Sequence, residues 1–237
     1  MNSHPNRVDY RQFRLNKLNT PEFSHLKLLL FWPFYGLTFL YLERFHPVET
    51  YHAMYCPLDD LIPFCELFLI PYLFWFVFLA GMVFYTLFTD VDAFRKMMKF
   101  VILTHCAALL IFFLFPNSQH LRPRVFERNN VLTAFIAAFY QFDTNTNVCP
   151  SLHAIGSVAA MLGGWDSKWL SSRGRKITLG VIAFLISIST VFLKQHSVLD
   201  LVVAAPICLI AYVLTYRREQ PVYIRHVRMK KTKSASF

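Results

Sequence analysis

Two histidines and one aspartate stand where apolar runs begin. His153 lies in CPSLHA (149–154), between a polar stretch and an apolar one; His196 and Asp200 lie in KQHSVLD (194–200) at another such boundary. At positions i and i+4 of a helix, His196 and Asp200 share a face. The carboxylate then accepts a proton from one imidazole nitrogen and leaves the other unprotonated and aimed, as an oriented nucleophile requires. His153 supplies a second imidazole, suited to protonating a leaving alkoxide near neutral pH. Ser151 and the free N–H groups at the start of the following helix form an anion cradle. Arg122, in LRPR, and Lys194 add the positive charge that phosphoryl transfer uses on its equatorial oxygens. A histidine nucleophile, a histidine acid and a basic cradle describe phosphoryl transfer that calls for no metal and no cofactor. Neither a CxxC pair nor a zinc spacing occurs.

The elements that must position these residues are membrane helices. The 237 residues are 55% hydrophobic and 17% aromatic, with a mean hydropathy of +0.39. Only 16% are charged, against about 25% in soluble domains. Runs of about 18 or more apolar residues read as spans, since about 20 residues at 1.5 Å each cross the hydrocarbon core. Six runs qualify: 26–42, 64–89, 98–115, 152–168, 177–193 and 198–216. The fourth is the weakest, because Gly163, Gly164 and Trp165 run into Asp166. The expected fold is all-α: a six-span bundle (26–216) between an N-terminal tail (1–25) and a basic C-terminal tail (217–237). No signal-peptide pattern opens the chain.

The net charge of +10 does not point to nucleic acid, because of where it falls. All but five of the 24 lysines and arginines lie in the two tails and in the second–third and fourth–fifth connections. Six spans put all four segments on one side, and basic flanks stay cytoplasmic. The other five, Arg44, Arg122, Arg124, Arg128 and Lys194, fall on the outer side together with both histidines and Asp200. The C-terminal basic residues are topology determinants or contacts to anionic lipid. On the outer side, 131–142 is too short to span and reads as an interfacial amphipathic helix. Cys56 and Cys149 share that side, so either a disulfide or two free thiols is chemically permitted.

PSLH (150–153) and HSVLD (196–200), with Arg122-Pro123 upstream, resemble the type 2 phosphatidic acid phosphatase superfamily over roughly residues 95–216. The resemblance implies a six-helix fold with the site facing away from the cytosol. It implies His196 as nucleophile, Asp200 as its orienter, His153 as acid and base, and Arg122 and Ser151 as phosphate ligands. Three positions depart from the family pattern. Phe115 stands where it has lysine, Thr190 where it has arginine, and Leu152 where it has the glycine of P-S-G-H. These departures resemble the branch of inositol phosphorylceramide and sphingomyelin synthases, in which the phospho-group passes to an alcohol. Lys194 or Arg124 then stands in for a missing cation.

Each residue also has a plainer reading. His153 suits a helix cap, His196 with Asp200 a structural pair, and Arg122 a side chain snorkelling to headgroups. Polar groups at membrane depth are expensive, and by default they mark function; four on one side, in one motif context, favour the catalytic reading. From Ser151 to Asp166 the helix spans only about 22 Å, short of the roughly 30 Å core, which recesses the site below the outer headgroups. The expected partners are a lipid phosphate and an acceptor, either water or a lipid alcohol, in a membrane that the compact loops suggest is a bacterial plasma membrane. The alternative of another class is a non-catalytic lipid-binding or transport protein on the same bundle.

Overall fold

A computed structural model describes residues 8–217; the basic tail read at 217–237 lies, apart from Arg217, outside the described residues. Apolar chain that must satisfy its own backbone forms helix. In order these are α1 (Phe31–Arg44), α2 (Leu58–Leu61), α3 (Leu69–Thr89), α4 (Val91–Leu114), α5 (Val131–Phe142), α6 (Leu152–Asp166), α7 (Arg173–Phe192) and α8 (Val198–Tyr212). Tighter 3-10 turns lead into α1 (Ser24–Leu30) and α3 (Glu66–Phe68), and a wider turn, Val213–Arg217, extends α8. Among the described residues, five helices are then long and apolar enough to cross a membrane: Ser24–Arg44, Glu66–Thr89, Val91–Leu114, Arg173–Phe192 and Val198–Arg217. Their outward faces carry exposed apolar side chains such as Leu37, Phe74, Val77, Phe113, Phe184 and Ile210, the pattern of an integral membrane protein facing lipid.

The run read at 152–168 forms α6, whose 15 residues are shorter than any of the five. Its position explains its weak hydropathy. Helices α3, α4, α7 and α8 all pack on α6, so it is surrounded by protein and needs small residues more than greasy ones. A Cβ on Gly163 would lie 2.6 Å from Met97 Sδ, and one on Gly164 would lie 2.5 Å from Leu179 Cδ1. Those glycines let α4 and α7 close on α6.

The polar contacts separate into two ends. At one, the Asp90 side chain caps α4 through Ala93 N (3.3 Å) and also accepts from Lys168 N (3.3 Å), while Lys96 pairs with Asp166 at 2.9 Å. Residues 8–25, part of the segment read as an N-terminal tail, pack at this end. Tyr10 donates to the Leu87 carbonyl (2.7 Å), and Phe23 is fully buried. A few aromatics among polar residues leave no periodic signal from which such packing could be read.

At the other end, the connections after α1, α4 and α7 meet. Residues His52–Ala53 (β1) and Asn117–Ser118 (β2) pair as a two-residue parallel ribbon, joining the first connection to the second. Helix α5 forms over the residues expected for the interfacial segment, started by a capping box between Asn130 and Thr133. It is two-faced: Ile136 is buried against Leu69, Tyr72 and Leu193, while Val131 and Phe142 are exposed.

Candidate functional site

The two motif segments meet at that second end. Ser151, fully buried, N-caps α6 with its side chain on Ala154 N at 3.4 Å. Its own N–H donates to the Asp200 carbonyl at 3.1 Å, tying the start of α6 to the start of α8. Ser197 N-caps α8 in a capping box with Asp200. The fully buried Asp200 uses one oxygen, Oδ2, for two partners: the N–H of Ser197 at 3.0 Å and Nδ1 of His196 at 2.9 Å. Its other oxygen, Oδ1, is buried without a hydrogen-bond partner. The helix cap and the imidazole orienter are therefore one carboxylate, and pairing at Nδ1 leaves Nε2 as the nitrogen available for chemistry.

His153, on the first turn of α6, lies beside His196 with ring centroids 5.7 Å apart in an edge-to-face arrangement. Aromatic residues of α3 fix its plane. Tyr72 stacks on it at 4.4 Å and Trp75 packs at 4.5 Å. His153 Nε2 is buried and has no hydrogen-bond partner. A buried polar atom left unmatched costs about 1–3 kcal/mol, a cost that a bound partner at that atom would remove. The first N–H groups of α6, on Leu152 and His153, have no acceptor within the helix. They open the helix whose first turn carries the His153 imidazole.

Trp75 is held in place by a glycine. A Cβ on Gly156 would lie 2.8 Å from Trp75 Nε1, and a rigid indole cannot yield as a flexible chain end can. Gly156→Ala is expected to displace Trp75, loosen the His153 ring and cost about 1–3 kcal/mol. Thermal unfolding and turnover should both fall; an unchanged melting temperature together with unchanged turnover would contradict this packing.

The two cations expected as phosphate ligands are placed differently. The Arg122 guanidinium gives Nη1 to the carbonyls of Tyr140 (3.0 Å) and Asp143 (2.8 Å), and Nη2 to the Thr144 carbonyl (2.8 Å) and Gln195 Oε1 (2.5 Å). It also lies 4.6 Å over the Tyr140 ring, and only its buried Nε lacks a partner. Lys194 is buried and donates to the backbone carbonyls of Asp59 (2.7 Å) and Ile62. Burial lowers its pKa, and the carboxylates of Asp59 and Asp60 oppose that shift. Both residues bring charge to this end of the bundle, but as packed they have given their donors to protein carbonyls. Irregular backbone that reaches membrane depth must be satisfied somehow, and long basic side chains satisfy it here. Arg124, the other suggested stand-in, is exposed and, among the described residues, hydrogen-bonds to none of this cluster.

Several participants carried no sequence signal. Gln195 bridges Arg122 and Asp143, donating from Nε2 to Asp143 Oδ2 at 3.1 Å. Tyr72 donates to the same oxygen at 3.3 Å. Burial raises the pKa of Asp143, opposed first by Arg122 and then by His196. Their signal would have been a polar residue opposite the histidines, which requires knowing the packing first. Cys56 and Cys149 are both free thiols. The Cys149 thiol, beside Asp200, is pushed up to about 12, mainly by burial, and is inert at neutral pH. Among the described residues, no group of three or more His, Cys, Asp or Glu is arranged to hold a metal ion. No family model, curated protein or solved structure matches the chain.

Proposed function

We propose that the chain is a membrane-embedded lipid phosphoesterase or phosphotransferase that works through a phosphohistidine on His196, as the resemblance to type 2 phosphatidic acid phosphatases implies. One observation carries the reading: the Nδ1-paired His196 (2.9 Å from Asp200 Oδ2) and His153 (5.7 Å between ring centroids) converge from separate connections. In the first half-reaction, Nε2 of His196 attacks phosphorus. The bond from phosphorus to the leaving oxygen breaks, and that oxygen takes the His153 proton. In the second, water or a lipid alcohol attacks the phosphohistidine, gives its proton to His153 and frees His196. The N–H groups opening α6 and the nearby basic charge stabilise the equatorial oxygens.

The reading includes α6 as a sixth crossing element, with both chain ends cytoplasmic and the site on the outer side. What supports this is that, among the described residues, the basic residues at the α3–α4 and α6–α7 connections, such as Arg95, Lys96 and Lys168, lie at the end opposite the histidines. Recession of a site flanked by lipid-facing helices suits a lipid that offers its phosphate sideways while its chains stay in the bilayer. The proposed setting is a bacterial plasma membrane.

The test is turnover of a lipid phosphate panel by the full chain in mixed micelles, followed by mass spectrometry with and without a ceramide or diacylglycerol acceptor. Appearance of a new phospholipid marks transfer, and free phosphate marks hydrolysis. Activity should survive EDTA, because an imidazole and not a metal-bound water attacks. Loss with EDTA and recovery with Mg²⁺ would overturn the mechanism, and no turnover of any lipid phosphate would overturn the function.

A further inference from the structure

The nucleophile sits in the shortest of the three connections that meet at this end, Leu193 to Ser197, and the turn is strained. Lys194 has φ 52, in the left-handed region, which costs an L side chain roughly 1–2 kcal/mol. Such a conformation persists only where its surroundings over-determine it. Arg122 and Asp143 hold the middle of the turn through Gln195, and Ile62 accepts from Lys194, but one residue of a distant loop reaches both of its ends. Asp59, in the short helix α2, is 1% exposed. Its Oδ2 accepts from the Ser197 hydroxyl at 2.6 Å and from Cys56 N at 2.8 Å, and its Oδ1 accepts from Val198 N at 2.8 Å. Its backbone carbonyl accepts from Lys194 Nζ at 2.7 Å. One residue thus grips both ends of the turn, with His196 between them.

The connection onward to the imidazole is short. Ser197 Oγ, held by Asp59, accepts from Leu199 N at 3.2 Å. Ser197 N holds Asp200 Oδ2, which holds His196 Nδ1. The Asp59 carboxylate also fills the start of α8, a place where free N–H groups would otherwise attract an anion. The start of α6 carries no such carboxylate among its caps: its N-cap is the neutral Ser151 hydroxyl.

We infer that Asp59 is a positioning residue for His196: it fixes the nucleophile's turn through Ser197 and Lys194 and keeps the α8 N-terminus closed to substrate. This rests on the reading of His196 as the nucleophile. Asp59→Asn keeps the shape but offers Nδ2 hydrogens where Ser197 and Cys56 need an acceptor. Displacements of about 1 Å in a reacting group can cost about 100-fold. With dioleoyl phosphatidic acid and dioleoyl phosphatidylglycerol as probes in dodecyl maltoside micelles, kcat of Asp59→Asn should fall about 10–100-fold with KM within about 2-fold. Formate, but not chloride at equal ionic strength, should restore part of the activity of Asp59→Ala by refilling the vacated helix start. Unchanged kcat, or a change in KM alone, would overturn the inference.

Two controls keep the outcome decisive. Should the Asp59 variants fail to fold, Ser197→Ala cuts the same path at its next atom and should reproduce the drop in kcat; full activity of that variant counts against the inference. Nitrogen-15 histidine NMR of the full chain reads the His196 Nδ1–H signal without any substrate. Asp59→Asn should shift or broaden it, and an unaltered signal overturns the positioning role. If the wild-type chain turns over no lipid phosphate, the enzyme reading fails while the NMR comparison still judges Asp59.

Discussion

His196→Ala is expected to abolish lipid phosphate turnover, by about 10⁴-fold or more, because removing the nucleophile of a cooperating set costs nearly as much as removing the set. The Asp200 pair makes the expectation specific. Asp200→Asn can present an amide hydrogen toward Nδ1, which favours the tautomer with its lone pair on the wrong nitrogen, and losses near 10⁴ accompany that change in a comparable pair. His153 separates the two half-reactions. A general acid contributes about 10²–10⁴-fold, and only where the leaving group needs its proton. His153→Gln should therefore be severely impaired on an alkyl lipid ester yet still release nitrophenolate from a nitrophenyl phosphate ester. Since the second half-reaction also needs His153 as base, a ³²P-labelled, acid-labile phosphohistidine should accumulate in that variant. Label that survives His196→Ala would move the nucleophile elsewhere, and full turnover by His196→Ala would favour the non-catalytic lipid-binding reading.

Replacing Arg122 should produce the largest loss of stability. Its four Nη hydrogen bonds tie the end of α5 to Gln195. Arg122→Leu would strand three carbonyls and leave the half-buried Asp143 carboxylate without the cation that chiefly opposes its raised pKa. Each carbonyl left unmatched in a buried place costs about 1–3 kcal/mol, so the loss is on the order of 3–5 kcal/mol, which for a chain of this length lowers Tm on the order of 10 °C. Arg122→Lys should fare little better, because one ammonium cannot replace a fork that reaches four acceptors. The pH dependence has a definite sign. Burial already raises the pKa of Asp143 and Arg122 chiefly opposes it, so losing Arg122 raises it further. A carboxyl with a raised folded pKa contributes stability below its unfolded pKa, and that contribution is lost as pH rises through the folded value. The deficit of Arg122→Leu should therefore widen from acid toward neutral pH, and Asp143→Asn in that background should recover part of it. A variant with wild-type Tm and only a raised KM would instead make Arg122 a substrate ligand.

Residue types and spacing determined much of this protein without a structure. Helices follow from apolar runs because backbone in hydrocarbon has no other partner, and α5 followed from a run too short to cross. The His196–Asp200 pairing is legible in the sequence, but not as two positions on one helix face: His196 precedes Ser197, the N-cap of α8, and Asp200 on the first turn reaches back past the cap to its Nδ1. Tertiary structure decided the rest. That α6 is enclosed, and so can be short and rich in glycine, depends on neighbours that its own sequence does not name. That Arg122 and Lys194 spend their donors on carbonyls depends on where three loops fold back, and a basic residue reads the same whether its partner is phosphate or backbone. Gln195, Asp143 and Asp59 act across gaps of tens to more than a hundred residues. Local periodicity reaches about one helical turn, and packing alone selects which distant carboxylate closes on which turn.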